Sequence, residues 1–87
     1  MTRYVVEFTT AAAKQVVKFD PPVRRRVLAA IESLAVEPRP QASTKLVGED
    51  VAWRLRVGDY RVIYDLVDEL MTVTVVRAAH RREVYSG

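Results

Sequence analysis

The sequence predicts an α+β fold with its elements in the order β-α-α-β-β-β, a helical hairpin packed on one face of a small, twisted, mostly antiparallel four-stranded sheet. Apolar residues recur at helical spacing through residues 10–36, and a Gly58-Asp59 pair separates the strictly alternating run Trp53–Val57 from a returning run Tyr60–Tyr64. Both helical stretches precede all but one of the strands, so they can share one sheet face and leave the other open.

Tyr4, Val6 and Phe8 alternate with Arg3, Val5 and Glu7, and this period of two makes residues 2–8 the first strand. Thr9 or Thr10 can cap a helix over residues 10–19, where Ala12, Ala13, Val16, Val17 and Phe19 lie at helical spacing before Asp20-Pro21-Pro22 stops it. Asp20 is placed to cap the next helix, because a proline in the first turn gives up an N–H that has no intrahelical partner. Val23, Val27, Leu28, Ile31 and Leu34 form one apolar stripe through residues 21–36, ended by Pro38 and Pro40. With almost no linker between them, the two helices should form an antiparallel hairpin. Residues 37–50 read as a connecting loop. Trp53–Val57 and Tyr60–Tyr64 are then the arms of a β-hairpin on a Gly-first two-residue turn, and Asp68-Glu69 turns the chain into a β-branched run from Leu70 to Arg77.

Composition narrows the chemistry. Eighty-seven residues fit one domain, residues 1–87, with a small core and room for one compact site. The absence of cysteine excludes a disulfide scaffold, and a single histidine leaves too few ligands for structural zinc. Asp65, Asp68 and Glu69 could be imagined around magnesium, but they sit at a hairpin turn where solvation accounts for them. No metal or other cofactor is expected. The longest uncharged stretch, Leu70 to Val76, is far too short to span a bilayer, and Glu7 interrupts the only apolar patch near the N-terminus. A cytoplasmic protein without membrane contact is therefore expected. The net charge of +3 favours acidic partners only mildly.

The turn fixes a register. With Gly58-Asp59 as the loop, Val57 pairs with Tyr60, Arg56 with Arg61, Leu55 with Val62, Arg54 with Ile63, and Trp53 with Tyr64. Trp53, Leu55, Val57, Tyr60, Val62 and Tyr64, joined by Val73 and Val75, form the face that meets the helices. The opposite face carries Arg54, Arg56 and Arg61, with Ile63, Thr72 and Thr74. Arg56 directly opposite Arg61 is a destabilising like-charge pair, which a purely structural role does not explain. Guanidinium forks match phosphate geometry, so a preorganised anion site is the functional reading, against a face of splayed and solvated side chains. His80, Arg81, Arg82 and Tyr85 follow within six residues and add groups able to carry protons. Arg24-Arg25-Arg26 reads as the solvated side of the second helix.

Lys45-Leu46-Val47-Gly48, the run from Trp53 to Tyr64 and the closing His80-Arg81-Arg82-Glu83-Val84-Tyr85 together resemble the RelE family of bacterial toxins, over nearly the whole chain. The resemblance implies a ribosome-dependent endoribonuclease that cuts mRNA in the decoding site and is neutralised by a cognate antitoxin in a hetero-oligomer. It also implies that Arg54, Arg56, Arg61, Arg81 and Tyr85 surround the scissile phosphate, with Lys45 and Arg82 as further phosphate contacts. Some relatives carry lysine at positions 54 and 56; a guanidinium holds its proton too firmly to transfer it, so Arg54 and Arg56 should clamp and stabilise charge. The tail varies in length among relatives, which keeps both His80 and Arg81 as candidates. The expected roles are Arg61 and Arg81 as the electrostatic clamp, Tyr85 as acid or base, and His80 as its alternative. Two other readings share the fold: a gyrase-binding poison of the related ParE type without nuclease activity, and a non-toxic module that only binds an antitoxin.

Overall fold

The computed structural model describes residues 3–85, and side chains through residue 83. Strand β1 (Val5–Phe8) leads into helices α1 (Thr10–Val17) and α2 (Pro21–Ser33), followed by β2 (Ser43–Lys45), β3 (Ala52–Val57), β4 (Tyr60–Val67), β5 (Thr72–His80) and a short helix α3 (Arg81–Tyr85). The fold is α+β, with five strands in the order β1-β5-β4-β3-β2 where four were expected. Only β1 and β5 run parallel.

The extra strand lies in the segment expected to be loop. Ser43, Thr44 and Lys45 pair with Leu55, Arg54 and Trp53. Three polar residues carry too short an alternation to announce a strand. What places them is the return of the chain through Gly48, at φ +83°, a conformation that suits glycine. The Lys45 ammonium holds that return by donating to the carbonyls of Glu49 (2.9 Å) and Asp50 (2.7 Å).

Both helix starts follow from their first residues. The Thr9 hydroxyl accepts the Ala12 N–H at 3.1 Å and caps α1. Asp20 occupies the cap position of α2, but its side chain makes no capping bond. Pro22, at the second helical position, removes one of the two donors such a carboxylate would take, and the cap acts through the Asp20 carbonyl, which accepts the Arg24 N–H at 2.8 Å. Helix α2 buries Val27 and Ile31, with Leu34 just beyond it, against Leu55, Val62, Tyr64, Val73 and Val75 of the sheet.

The β3–β4 hairpin has all five anticipated pairs. The β4–β5 connection differs. Asp68–Leu70 forms a 3₁₀ turn and Met71 takes φ +50°, so β5 starts at Thr72 and not at Leu70. Tyr64 then pairs with Val75 but Ile63 with Arg77, which leaves Val76 as an extra residue in a β-bulge. Unbroken alternation from Val73 and Val75 would send Arg77 into the core and turn His80 to the opposite face. The bulge reverses that phase: Ala78 is buried opposite Val62, and Arg77 stays on the face away from the helices. Among the described residues no helix is long and apolar enough to cross a membrane.

Candidate phosphate-binding site

The arginine face is built on the β3–β4 turn. Gly58, at φ +58°, supplies the left-handed first position of the two-residue loop. It also lets α2 approach closely, since a Cβ there would lie 2.8 Å from a guanidinium nitrogen of Arg26. Arg56 and Arg61 pair directly across this turn. Arg61 Nη1 donates to the carbonyls of Gly58 and Tyr60, each at 3.0 Å, which sets its guanidinium along the hairpin tip.

Two rows of side chains cross the sheet on this face. One reads Thr44, Arg54, Ile63 and Arg77; the other reads Arg56, Arg61 and Ala79. Arg54, Arg56 and Arg61, together with Gln41, Ala42 and Thr44, line a depression of about 260 Å³. Farther along the same face, Asp65 pairs with Thr74, and Glu7 pairs with Thr74 from the other side. The face is therefore polarised, cationic near the hairpin tip and acidic at the far end, and an anion is drawn to the tip.

Helix α3 is stapled to the hairpin tip and to β5. The Arg81 N–H donates to the Asp59 carbonyl at 2.7 Å, and Arg77 Nη2 donates to the Glu83 carbonyl at 2.9 Å. Arg81 and Arg82 are exposed at the start of α3. Tyr85 is its last residue, with a side chain outside the described ones. The arrangement offers several charge-assisted donors to one phosphate or to neighbouring phosphates.

Two anticipated residues lie elsewhere. His80 pairs with Tyr60 and meets its ring edge-on at 5.3 Å, while Tyr60 packs on Phe19 at 4.9 Å. That puts the imidazole on the helix side of the sheet, where Nδ1 accepts the Arg82 N–H at 3.3 Å. The bulge at Val76 is the cause. Lys45 pairs with Trp53, again on the helix side, and its ammonium holds the β2–β3 return.

Arg77, Gln41 and Thr44 join the face unannounced. A signal for Arg77 existed: continued alternation would bury an unpaired guanidinium, which is costly enough to imply a break before it. At the other end of the sheet, Asp68 accepts from Arg39 and, at 2.7 Å, from the Tyr4 hydroxyl. The guanidinium first, and the phenol after it, hold the Asp68 carboxyl below its usual range. Arg39 also lies 5.5 Å from the centre of the Trp53 ring, so the network ties the α2–β2 loop to the sheet.

Residues 6–85 match the family model of the ParE toxin of type II toxin-antitoxin systems. Toxin RelG of Mycobacterium tuberculosis is 33% identical over 94% of this chain and 95% of its own length. The toxin-antitoxin complex RelBE2 from the same organism contains a chain with a TM-score of 0.81 and 32% identity, covering 93% of this chain and 94% of that one. Isolated E. coli toxin RelE superposes with a TM-score of 0.78 at 29% identity, covering 95% of this chain and 92% of that one. The chain therefore belongs to the RelE/ParE family of type II toxins.

Proposed function

We propose that the protein is a ribosome-dependent endoribonuclease that cleaves mRNA in the decoding site, acts in the cytoplasm, and is neutralised by a cognate antitoxin. The observation that carries this is the convergence of Arg54, Arg56 and Arg61 on one depression, where guanidinium forks match the geometry of an RNA phosphate. In this reading the 2′-oxygen forms a bond to the adjacent phosphorus, the bond to the 5′-oxygen breaks, and the 2′-proton is taken up while another is delivered to the leaving oxygen. Arg61 and Arg81 hold the phosphate, and Arg54, Arg56 and Arg82 supply further positive charge. Tyr85 is the proton carrier, since His80 faces the helices and guanidinium groups keep their protons. The antitoxin partner is supported by solved relatives that are themselves complexes with an antitoxin.

The test is incubation with programmed ribosomes followed by mapping of RNA ends. Specific cuts by the parent protein, slowed about 100- to 1,000-fold by Arg61→Ala, are expected. Near-normal cutting by a folded Arg61→Ala protein would remove Arg61 from the site. One observation favours a gyrase-binding poison as a second reading: among the described residues the arginine face holds neither histidine nor lysine. Inhibited supercoiling with intact RNA would establish that reading instead.

A further inference from the structure

The depression beside the arginines has two chemically different sides. Arg54, Arg56 and Arg61 make one side cationic, while Gln41, Ala42 and Thr44 make the other neutral. Thr44 stands directly opposite Arg54, so its hydroxyl is on the arginine face. Among the described residues neither the Gln41 amide nor the Thr44 hydroxyl makes a hydrogen bond with the rest of the protein. The backbone that carries them is nevertheless tightly held. Arg56 N–H donates to the Ala42 carbonyl at 3.1 Å, the Ser43 N–H and hydroxyl both reach the Pro40 carbonyl, at 2.9 and 2.7 Å, and the buried Tyr64 hydroxyl grips the Pro38 carbonyl at 2.6 Å. A polar connector anchored at three successive points is more rigid than a mere link requires, and rigidity of this kind is what a recognition surface needs.

We propose that Gln41 and Thr44 read the nucleobase next to the phosphate held by the arginines, with adenine preferred. The inference rests on the nuclease reading above. Phosphate contacts position a nucleic acid but carry no sequence information, which must come from groups that meet base edges. An amide presents one donor and one acceptor together, and so complements N7 and N6 of adenine; guanine offers two acceptors there, one of which would face the amide oxygen. The Thr44 hydroxyl can donate or accept and serves as the second contact. The base is held on one side by neutral groups and its phosphate on the other by cations, which divides selection from charge stabilisation.

The experiment uses ribosomes programmed with mRNA randomised across the decoding site, with the cut ends sequenced. The parent protein should enrich adenine at one fixed position beside the cut. Gln41→Ala should lower that preference by about 5- to 100-fold, the discrimination expected of one bidentate base contact, by slowing the cuts beside adenine while the rates beside the other three bases stay within about threefold. Thr44→Val, which keeps the shape and removes the hydroxyl, should weaken the same position to a smaller degree. An unchanged base profile in Gln41→Ala overturns the inference and leaves the nuclease reading standing. So does a loss of rate that is uniform over all bases, because it would make Gln41 a support for the clamp. A parent protein that cuts no RNA removes both readings together. Thermal unfolding of each variant separates these outcomes from a folding defect.

Discussion

Replacing Tyr64 with phenylalanine isolates one hydroxyl at the centre of the fold. The Tyr64 side chain has no solvent exposure, and its O–H donates to the Pro38 carbonyl at 2.6 Å. Phenylalanine keeps the ring and its packing and deletes the donor alone. A hydrogen bond of this kind contributes about 0.5–1.5 kcal/mol net, and a carbonyl left without its partner costs more unless water replaces it. Pro38 is partly exposed, so water can reach it, and the loss should be about 1–2 kcal/mol. In a chain of this size that lowers Tm by roughly 5–15 °C, with the urea m-value unchanged. A second signature lies at alkaline pH. Burial pushes the Tyr64 phenol above its usual range. The unfolded chain ionises it near pH 10. Above that pH the unfolded state binds fewer protons than the folded one, so stability falls as pH rises, at up to about 1.4 kcal/mol per pH unit. Tyr64→Phe should remove this slope and leave only the share from Tyr4, whose phenol is raised chiefly by its hydrogen bond to Asp68. A variant that matches the parent in Tm and still steepens above pH 10 would refute the account of Tyr64.

Three further outcomes are expected. Asp68 has a folded pKa below its unfolded one, so its contribution is present above about pH 4 and lost as pH falls through the folded value; Asp68→Asn should flatten the acid limb of a pH–Tm profile. Gly58→Ala places a side chain at φ +58° and 2.8 Å from the Arg26 guanidinium, and should cost about 1–2 kcal/mol in urea unfolding; in an Arg26→Ala background most of that cost should persist, because the backbone strain does not depend on Arg26. His80→Ala should leave RNA cleavage within a few-fold of the parent while losing the Tyr60 contact, whereas Tyr85→Phe should slow cleavage by about 100-fold or more. The reverse ranking would return the histidine to the chemistry.

The hairpin was legible because its first arm, Trp53–Val57, alternates without a break up to a turn that demands glycine, and the register of that turn placed Arg54, Arg56 and Arg61 on one face together. Strand β2 was not legible: three polar residues have no hydrophobic period, and their place is set by the backbone of β3 and the turn at Gly48. The bulge was hidden for a different reason. Val75 and Val76 are both β-branched, so composition does not say which of them faces the core, and the answer depends on where β4 pairs. From that one residue follow the positions of Arg77 and His80. Residue types at the candidate site could thus be read directly, while the side of the sheet on which the tail delivers them could not.

The parallel pairing of β1 with β5 has a consequence in time. Val5 meets Thr72, so during synthesis β1 must wait for a segment made much later in the chain, a delay of several seconds at about 5–20 residues per second. Until then α1 and α2 have no completed sheet on which to bury Val16, Val27 and Ile31. The β3–β4 hairpin can form early from local contacts, but β5, flanked by β4 and β1, must enter between two neighbours before the core closes. The nascent chain accordingly carries its arginine cluster well before it carries a folded toxin, and the two are joined only when β5 has been made.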